Sequence, residues 1–245
     1  MSDNKEESLK LKLLGPTAEA AGKTLQDIWD VVFGGFQLYA NKKRFSNQRN
    51  FEEFKASFEQ RITEILAESL QEPKLSILGP ILDASKFYFE EKSLREMFAS
   101  LASASMDARK ERDMHPSYPE IIKQMSPLDA QNLSLFKSQL PVAEYYLENK
   151  EKESRRTMLT NVFLENDKES DLIAQSRSLS SLSRLGLLDI EYETFVLADK
   201  FYEKFCFTDY FLLLGLDSPN LIAGIRPGRA RVTALGKAFT GVCLE

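Results

Sequence analysis

Phe51, Phe54, Phe58, Ile62, Ile65 and Leu66 recur at three- and four-residue spacings, with Glu52, Glu53, Glu59 and Arg61 off the stripe. That period predicts an amphipathic helix, and Pro73 ends it. Upstream, residues 1–14 read as a flexible arm. Pro16 then opens a helix carrying Ala18, Ala21, Leu25, Ile28, Trp29 and Val32, with Gly34-Gly35 as its stop or kink. A third helix is expected over residues 75–89, with Ile77, Leu78, Ile81 and Leu82 inward and Pro80 near its first turn. Ser93 caps a fourth, with Glu96 at capping-box spacing and Leu94, Met97, Phe98 and Leu101 on its apolar face. The first ~110 residues thus read as four helices with no strand signal.

The second half is punctuated differently. His115-Pro116-Ser117-Tyr118-Pro119 marks a turn and a helix start, with Ser117 as cap and Glu120 suited to the positive helix end. Leu128, Leu133, Phe136 and Leu140 form the next helical face, which Pro141 stops. Residues 147–156 mix charges without apolar periodicity and read as a solvated loop or helix end. A helix over residues 168–184 turns Leu172, Leu179, Leu182 and Leu185 inward, and Gly186 ends it. Leu188, Ile190 and Tyr192 then alternate with Asp189, Glu191 and Glu193, which signals a half-buried strand. Residues 196–216 are aromatic-rich and partly helical. Residues 218–220 and 226–229 read as turns, residues 230–232 as a short returning strand, and Thr233 as the cap of a last helix.

The composition is that of a globular protein: 245 residues, 43% apolar and 28% charged, with a net charge of −5. Two regions are expected, a helical one over 1–114 and an α+β one over 115–245. They carry net charges of −2 (17 basic, 19 acidic) and −3 (15 basic, 18 acidic), so neither is strongly basic. Residues 1–12 lack the apolar core of a secretory signal, and the longest apolar run, 211–216, is too short to span a bilayer, so a cytoplasmic protein is expected.

Two cysteines and one histidine leave little room for metal or relay chemistry. His115 lies near Asp107, Asp113 and Glu120 in sequence. An acid–base or single-ligand role would draw on those carboxylates. The structural alternative, a ring bonded to its own loop, is favoured because no second strong ligand accompanies it. Asp107 is expected to cap the next segment or to pair with Arg109 or Arg112. Asp107, His115, Pro116, Ser117, Glu120 and Asp129 therefore form a motif without an assigned role. No catalytic residue, metal site or cofactor is assigned, and the protein is expected not to be an enzyme. Cys206 reads as a buried small apolar residue. The serines at 176, 178, 180, 181 and 183 read as helical surface positions, since no Gly-x-Ser-x-Gly elbow is present.

The order of helix 168–184, acidic strand, insertion, strand and Thr-capped helix is similar to a winged helix, so the fold class is mainly α with a winged-helix-like α+β C-terminal region. A nucleic-acid role would fall to Arg177 and Arg184 on the helix and to Arg226, Arg229 and Arg231 on the loop into the second strand. The acidic strand argues against it, because DNA affinity comes largely from neutralised phosphates.

Three blocks carry a wider resemblance: SLREMFASLASASMDARKERDMHPSYPEIIKQMSPLDAQNL, SLSSLSRLGLL and VTALGKAFTGVC. In this order, and with LLGPTAEAAGKTLQDIWD near the start, the chain resembles the Abi-alpha family, a bacterial and phage-associated group linked to abortive infection. Tyr118 stands where the family more often has phenylalanine. The resemblance implies a cytoplasmic bacterial protein in antiviral defence and supplies no catalytic residues. The expected function is non-enzymatic, through protein partners or self-association. The alternatives are a winged-helix nucleic-acid-binding regulator and a membrane-acting toxic effector that uses the N-terminal helices.

Overall fold

The computed structural model describes residues 45–149, 151–192, 198–214, 216 and 220–244. The expected N-terminal arm, the helix carrying Ala18 to Val32, Gly34-Gly35 and the basic patch Lys42, Lys43 and Arg44 lie outside the described residues. The chain divides into two compact units, Met1–Pro127 with Ala238–Glu245, and Leu128–Lys237.

The described part of the first unit is built on helices. In α1 (Phe45–Glu64) most of the predicted stripe is buried, with Phe51, Phe54, Phe58 and Ile62 facing inward, but the helix stops at Glu64, well before Pro73, and leaves Ile65 half-buried and Leu66 exposed beyond its end. α2 (Leu75–Ser85) buries Leu78, Ile81 and Leu82 and accommodates Pro80 inside the helix. It ends four residues before the expected Phe89, whose ring instead packs 5.0 Å from Phe54 and 5.7 Å from Phe51. α3 (Lys92–Ala104) starts one residue before Ser93, so Ser93 does not cap it; Glu91 occupies the cap position without a side-chain bond. α4 (Tyr118–Lys123) begins where the Pro-Ser-Tyr-Pro punctuation places it. No strand runs through this part; an isolated bridge joins Leu70 to Asp107.

α3 buries a cation. Arg95 is 5% exposed and is held by the Phe89 carbonyl at 2.8 Å, by Asn50 at 3.4 Å and by the Glu53 carboxylate. Arg95→Met keeps the buried stem but leaves the Phe89 carbonyl short of a donor. The expected cost is about 1 kcal/mol, read from the urea midpoint; an unchanged midpoint would show that the guanidinium does not stabilise this unit.

The second unit is built on a four-stranded antiparallel sheet of order β2-β1-β4-β3, so the molecule is mixed α+β. After α5 (Pro127–Leu135), β1 (Leu140–Asn149) and β2 (Ser154–Val162) form a hairpin. This corrects the reading of 147–156 as a solvated loop. Glu148 faces Arg155 and Leu147 faces Arg156 across the ladder, so cross-strand pairing uses the charges that hid the alternation. α5 also stops at Leu135 and not at Pro141, because Pro141 is the second residue of β1, where proline is tolerated.

α6 (Leu172–Arg184) starts later than expected, with Asp171 accepting from the backbone N–H of Ile173 at 2.9 Å and of Ala174 at 3.1 Å. Gly186, at φ 74°, ends it as predicted. β3 (Leu188–Glu191) is the predicted alternating strand. β4 (Leu221–Val232) replaces the expected turn at 226–229 and the short strand after it. Among the described residues β3 pairs with β4 only from Arg229 to Val232, so no described strand residue faces Pro227 on that side. α8 (Ala234–Cys243) closes the chain, capped by Thr233, whose hydroxyl accepts from Gly236 N–H at 2.9 Å.

Residues 198–214 form two short 3-10 turns and α7 (Asp209–Leu213). This segment packs on the sheet face that presents Ala143, Tyr145 and Ile225. Tyr145 O–H donates to the Phe205 carbonyl at 2.7 Å, and Tyr202 O–H donates to the Gly228 carbonyl at 2.8 Å.

Candidate functional site

Asp107 follows α3 and opens a 3-10 turn over Ala108–Asp113. Its carboxylate is 3% exposed and fully engaged. Oδ1 accepts from the Arg109 backbone N–H and from Arg109 Nε, both at 2.9 Å, and Oδ2 accepts from Arg109 Nη2 at 2.6 Å. It therefore both caps and pairs with Arg109. The guanidinium hydrogen bonds hold its pKa below the usual carboxylate value, against the opposing effect of burial. Asp107 lines a cleft of about 110 Å³ together with Arg61, Glu64, Ser100, Arg109 and Lys110. Lys110 Nζ donates to the Gly241 carbonyl at 2.8 Å. The cleft therefore holds a carboxylate clamped between the cap of the 3-10 turn and the Arg109 guanidinium.

His115 is exposed and turned toward its own loop. Its Nδ1 accepts from the Ser117 backbone N–H at 3.2 Å and lies 2.7 Å from the Ser117 hydroxyl. A backbone donor at Nδ1 places the proton of the neutral ring on Nε2. Ser117 thus serves the histidine and makes no side-chain cap bond to α4. Pro116 is exposed beside it. Both Glu120 oxygens take Lys123 Nζ at 2.9 Å. Asp107, His115 and Glu120 therefore engage Arg109, Ser117 and Lys123, and none bonds another. Asp129 is buried in the first turn of α5, in the second unit. Among the described residues, no group of three or more His, Cys, Asp or Glu side chains is placed to hold a metal ion.

The five candidate arginines are dispersed within the second unit. Arg229 and Arg231 lie on β4 opposite Glu191 and Asp189 of β3. Arg229 Nη2 reaches Glu191 at 2.7 Å, and Arg231 Nη2 reaches Asp189 at 2.7 Å and Glu191 at 3.1 Å. The compact basic cluster is thus neutralised by the acidic strand. Arg226 points to the other face of β4, with its guanidinium carbon 5.6 Å from the Tyr192 ring centroid. Arg177 and Arg184 stand seven residues apart on α6, both exposed.

The α6 serines are not all surface residues. Ser176 and Ser178 are buried. Ser176 donates to the Thr160 carbonyl of β2 at 2.6 Å, and Ser178 accepts from Asn132 at 2.9 Å. Small hydroxyls let the helix approach the strand while satisfying its carbonyl. Asn161, at φ 53°, donates its side-chain amide to Ser180 at 2.8 Å and accepts from Tyr192 O–H at 2.7 Å. Burial pushes the Tyr192 phenol up to about 12, so it stays a donor. Cys206 is half-buried, with its thiol pushed up by burial, and Cys243 is fully buried.

Sequence reasoning missed one surface feature. The segment from Ala198 onward is apolar on both sides: Tyr202, Phe205 and Phe211 pack inward, while Phe207, Leu212, Leu213 and Leu216 are exposed. The signal was the density of aromatic and leucine positions without a polar face.

No curated protein and no solved structure matches the chain. A family model described as Abortive infection alpha matches residues 46–243, which takes in every described helix and strand apart from the first residue of α1. The chain belongs to the abortive infection alpha family.

Proposed function

We propose that this chain is a non-enzymatic abortive-infection protein of the bacterial cytoplasm that acts through protein contacts. One observation carries the reading: the second unit exposes Phe207, Leu212, Leu213 and Leu216, large apolar side chains within ten residues of chain. The clamped Asp107 and a His115 ring bonded to its own loop support a role without catalysis.

A winged-helix-like nucleic-acid regulator is the second reading. The antiparallel pairing of β3 with β4 directly after the leucine-bearing α6, and the Thr233 cap that follows, support the likeness. Exposed Arg177 and Arg184 would contact phosphates, with Arg226 on β4, while Arg229 and Arg231 pair with Glu191 and Asp189. The membrane-acting reading has less support: among the described residues, no helix is long and apolar enough to cross a membrane.

The test is protection of bacteria against phage by the full chain, by Leu213→Asp, and by the Arg177→Ala/Arg184→Ala pair. Protection is expected to be lost in the first variant and kept in the second. The reverse pattern, with salt-sensitive duplex DNA binding by the unmodified chain, would replace this reading with the nucleic-acid one. Collapse of membrane potential on expression would replace it with the membrane one.

A further inference from the structure

We infer that the outward apolar side of residues 207–216 is a self-association surface, on which a second copy of this chain docks. The inference rests on the protein-contact reading above and names the partner. α7 shows the division most clearly. Its inward side places the Tyr210 ring 6.0 Å and the Phe211 ring 5.2 Å from Tyr145. Its outward side leaves Leu212 at 55% and Leu213 at 68% exposed, with Phe207 at 73% before it and Leu216 at 70% after it. Several large apolar side chains left exposed within a few residues of each other mark an interaction surface.

The area fits a second copy. The four side chains expose on the order of 500 Å² of apolar surface, near the top of what a monomer shows in one patch. One partner of a stable dimer contributes about 800 Å², of which about 65%, roughly 520 Å², is apolar in homodimers. The neighbouring charges fit as well. Lys204 is taken by Glu165, and Asp199, Lys200, Glu203 and Asp209 leave both signs beside the patch, so a twofold-related copy can set opposite signs against each other. The same mixture gives no excess of basic charge to hold the segment on an anionic lipid surface. The surface is also preorganised: Thr208 caps α7 by accepting from Phe211 N–H at 3.2 Å, and Lys204 bonds Glu165.

The experiment is sedimentation velocity of the full chain across micromolar concentrations, alongside Leu213→Asp, a Phe207→Asp/Leu213→Asp double variant, and Ile173→Asp. Ile173 is an exposed apolar residue on α6 and serves as the control. Each substituted position is exposed, and thermal unfolding checks that each variant folds. The unmodified chain and Ile173→Asp are expected to sediment as a dimer. The double variant is expected to sediment as a monomer, with a dissociation constant raised more than about a hundredfold. An unmodified chain that stays monomeric, or a double variant that stays dimeric, overturns the inference. Co-sedimentation of the monomer with phosphatidylcholine vesicles overturns it in favour of a lipid surface. A monomeric chain whose phage protection is still lost in Leu213→Asp overturns the second copy as partner but leaves the protein-contact reading standing. A dimer whose protection survives Leu213→Asp and the double variant does the opposite.

Discussion

Gly236→Ala is expected to destabilise the second unit by about 2–4 kcal/mol, although alanine is the better helix former by about 1 kcal/mol. A Cβ at this position would stand 2.2 Å from the Leu187 carbonyl oxygen and 2.7 Å from Val232 Cγ1. The carbonyl cannot withdraw cheaply, because it accepts from Thr233 N–H at 3.0 Å. Thr233 is itself tied down: its hydroxyl donates to the Gly186 carbonyl at 2.6 Å and accepts from Gly236 N–H at 2.9 Å. The end of α6, the start of β3 and the start of α8 therefore meet around one missing side chain. Gly241 lies on the same helix, and a Cβ there would meet nothing within 4 Å, so Gly241→Ala is expected to stabilise by up to about 1 kcal/mol. Urea unfolding of the two variants should move the midpoint in opposite directions. Equal shifts would mean that helix propensity, and not the contact with Leu187, governs position 236.

Asp107→Ala is expected to cost about 2 kcal/mol, since it removes a cap and the charge-assisted bonds of a buried carboxylate. The loss has a defined pH signature. The Arg109 guanidinium holds the folded-state pKa of Asp107 below its ordinary value of 3.8. Around pH 4 the unfolded chain takes up a proton that the folded chain refuses, so acid favours unfolding. The contribution of Asp107 is complete above about pH 4 and is lost as pH falls through the lower folded value. Asp107→Asn should therefore flatten the acid limb of the stability curve below about pH 4, while the curve above about pH 5 keeps its shape. A variant with the same acid limb as the unmodified chain would show that another carboxylate sets it.

Residues 51–62 were legible because a 3.6-residue period survives wherever one helix face is buried. The Gly186 end of α6, the alternation of β3 and the Thr233 cap of α8 were legible for the same reason: each depends on neighbours within a few residues. The β1–β2 hairpin was not. Its strands carry Glu148, Arg155 and Arg156 at positions that look solvated until the facing strand supplies the opposite charge. β4 was hidden by Pro227 and Gly228, which mark a turn in isolation. Among the described residues the β3 pairing stops short of Pro227, and Gly228 leaves room for the Tyr192 ring, which a Cβ there would meet at 2.7 Å.

The candidate residues divide along the same line. The local partners of Asp107 and His115, Arg109 and Ser117, lie two residues away, and sequence reasoning named the first of them. The fate of Arg229 and Arg231 depended on a strand some forty residues earlier, and only register could show that Asp189 and Glu191 stand opposite them. The two sides of residues 207–216 were likewise invisible, because apolar residues that fill a core and apolar residues that face water are written with the same letters. By itself the sequence determined the buried stripe of α1, the Gly186 helix end, the Thr233 cap, the absence of a strongly basic region and the family blocks, all of which are short-range or compositional. The tertiary structure decided which strands pair, which arginines are neutralised and which apolar side chains are left uncovered, because each of those depends on what a distant part of the chain brings to the other side.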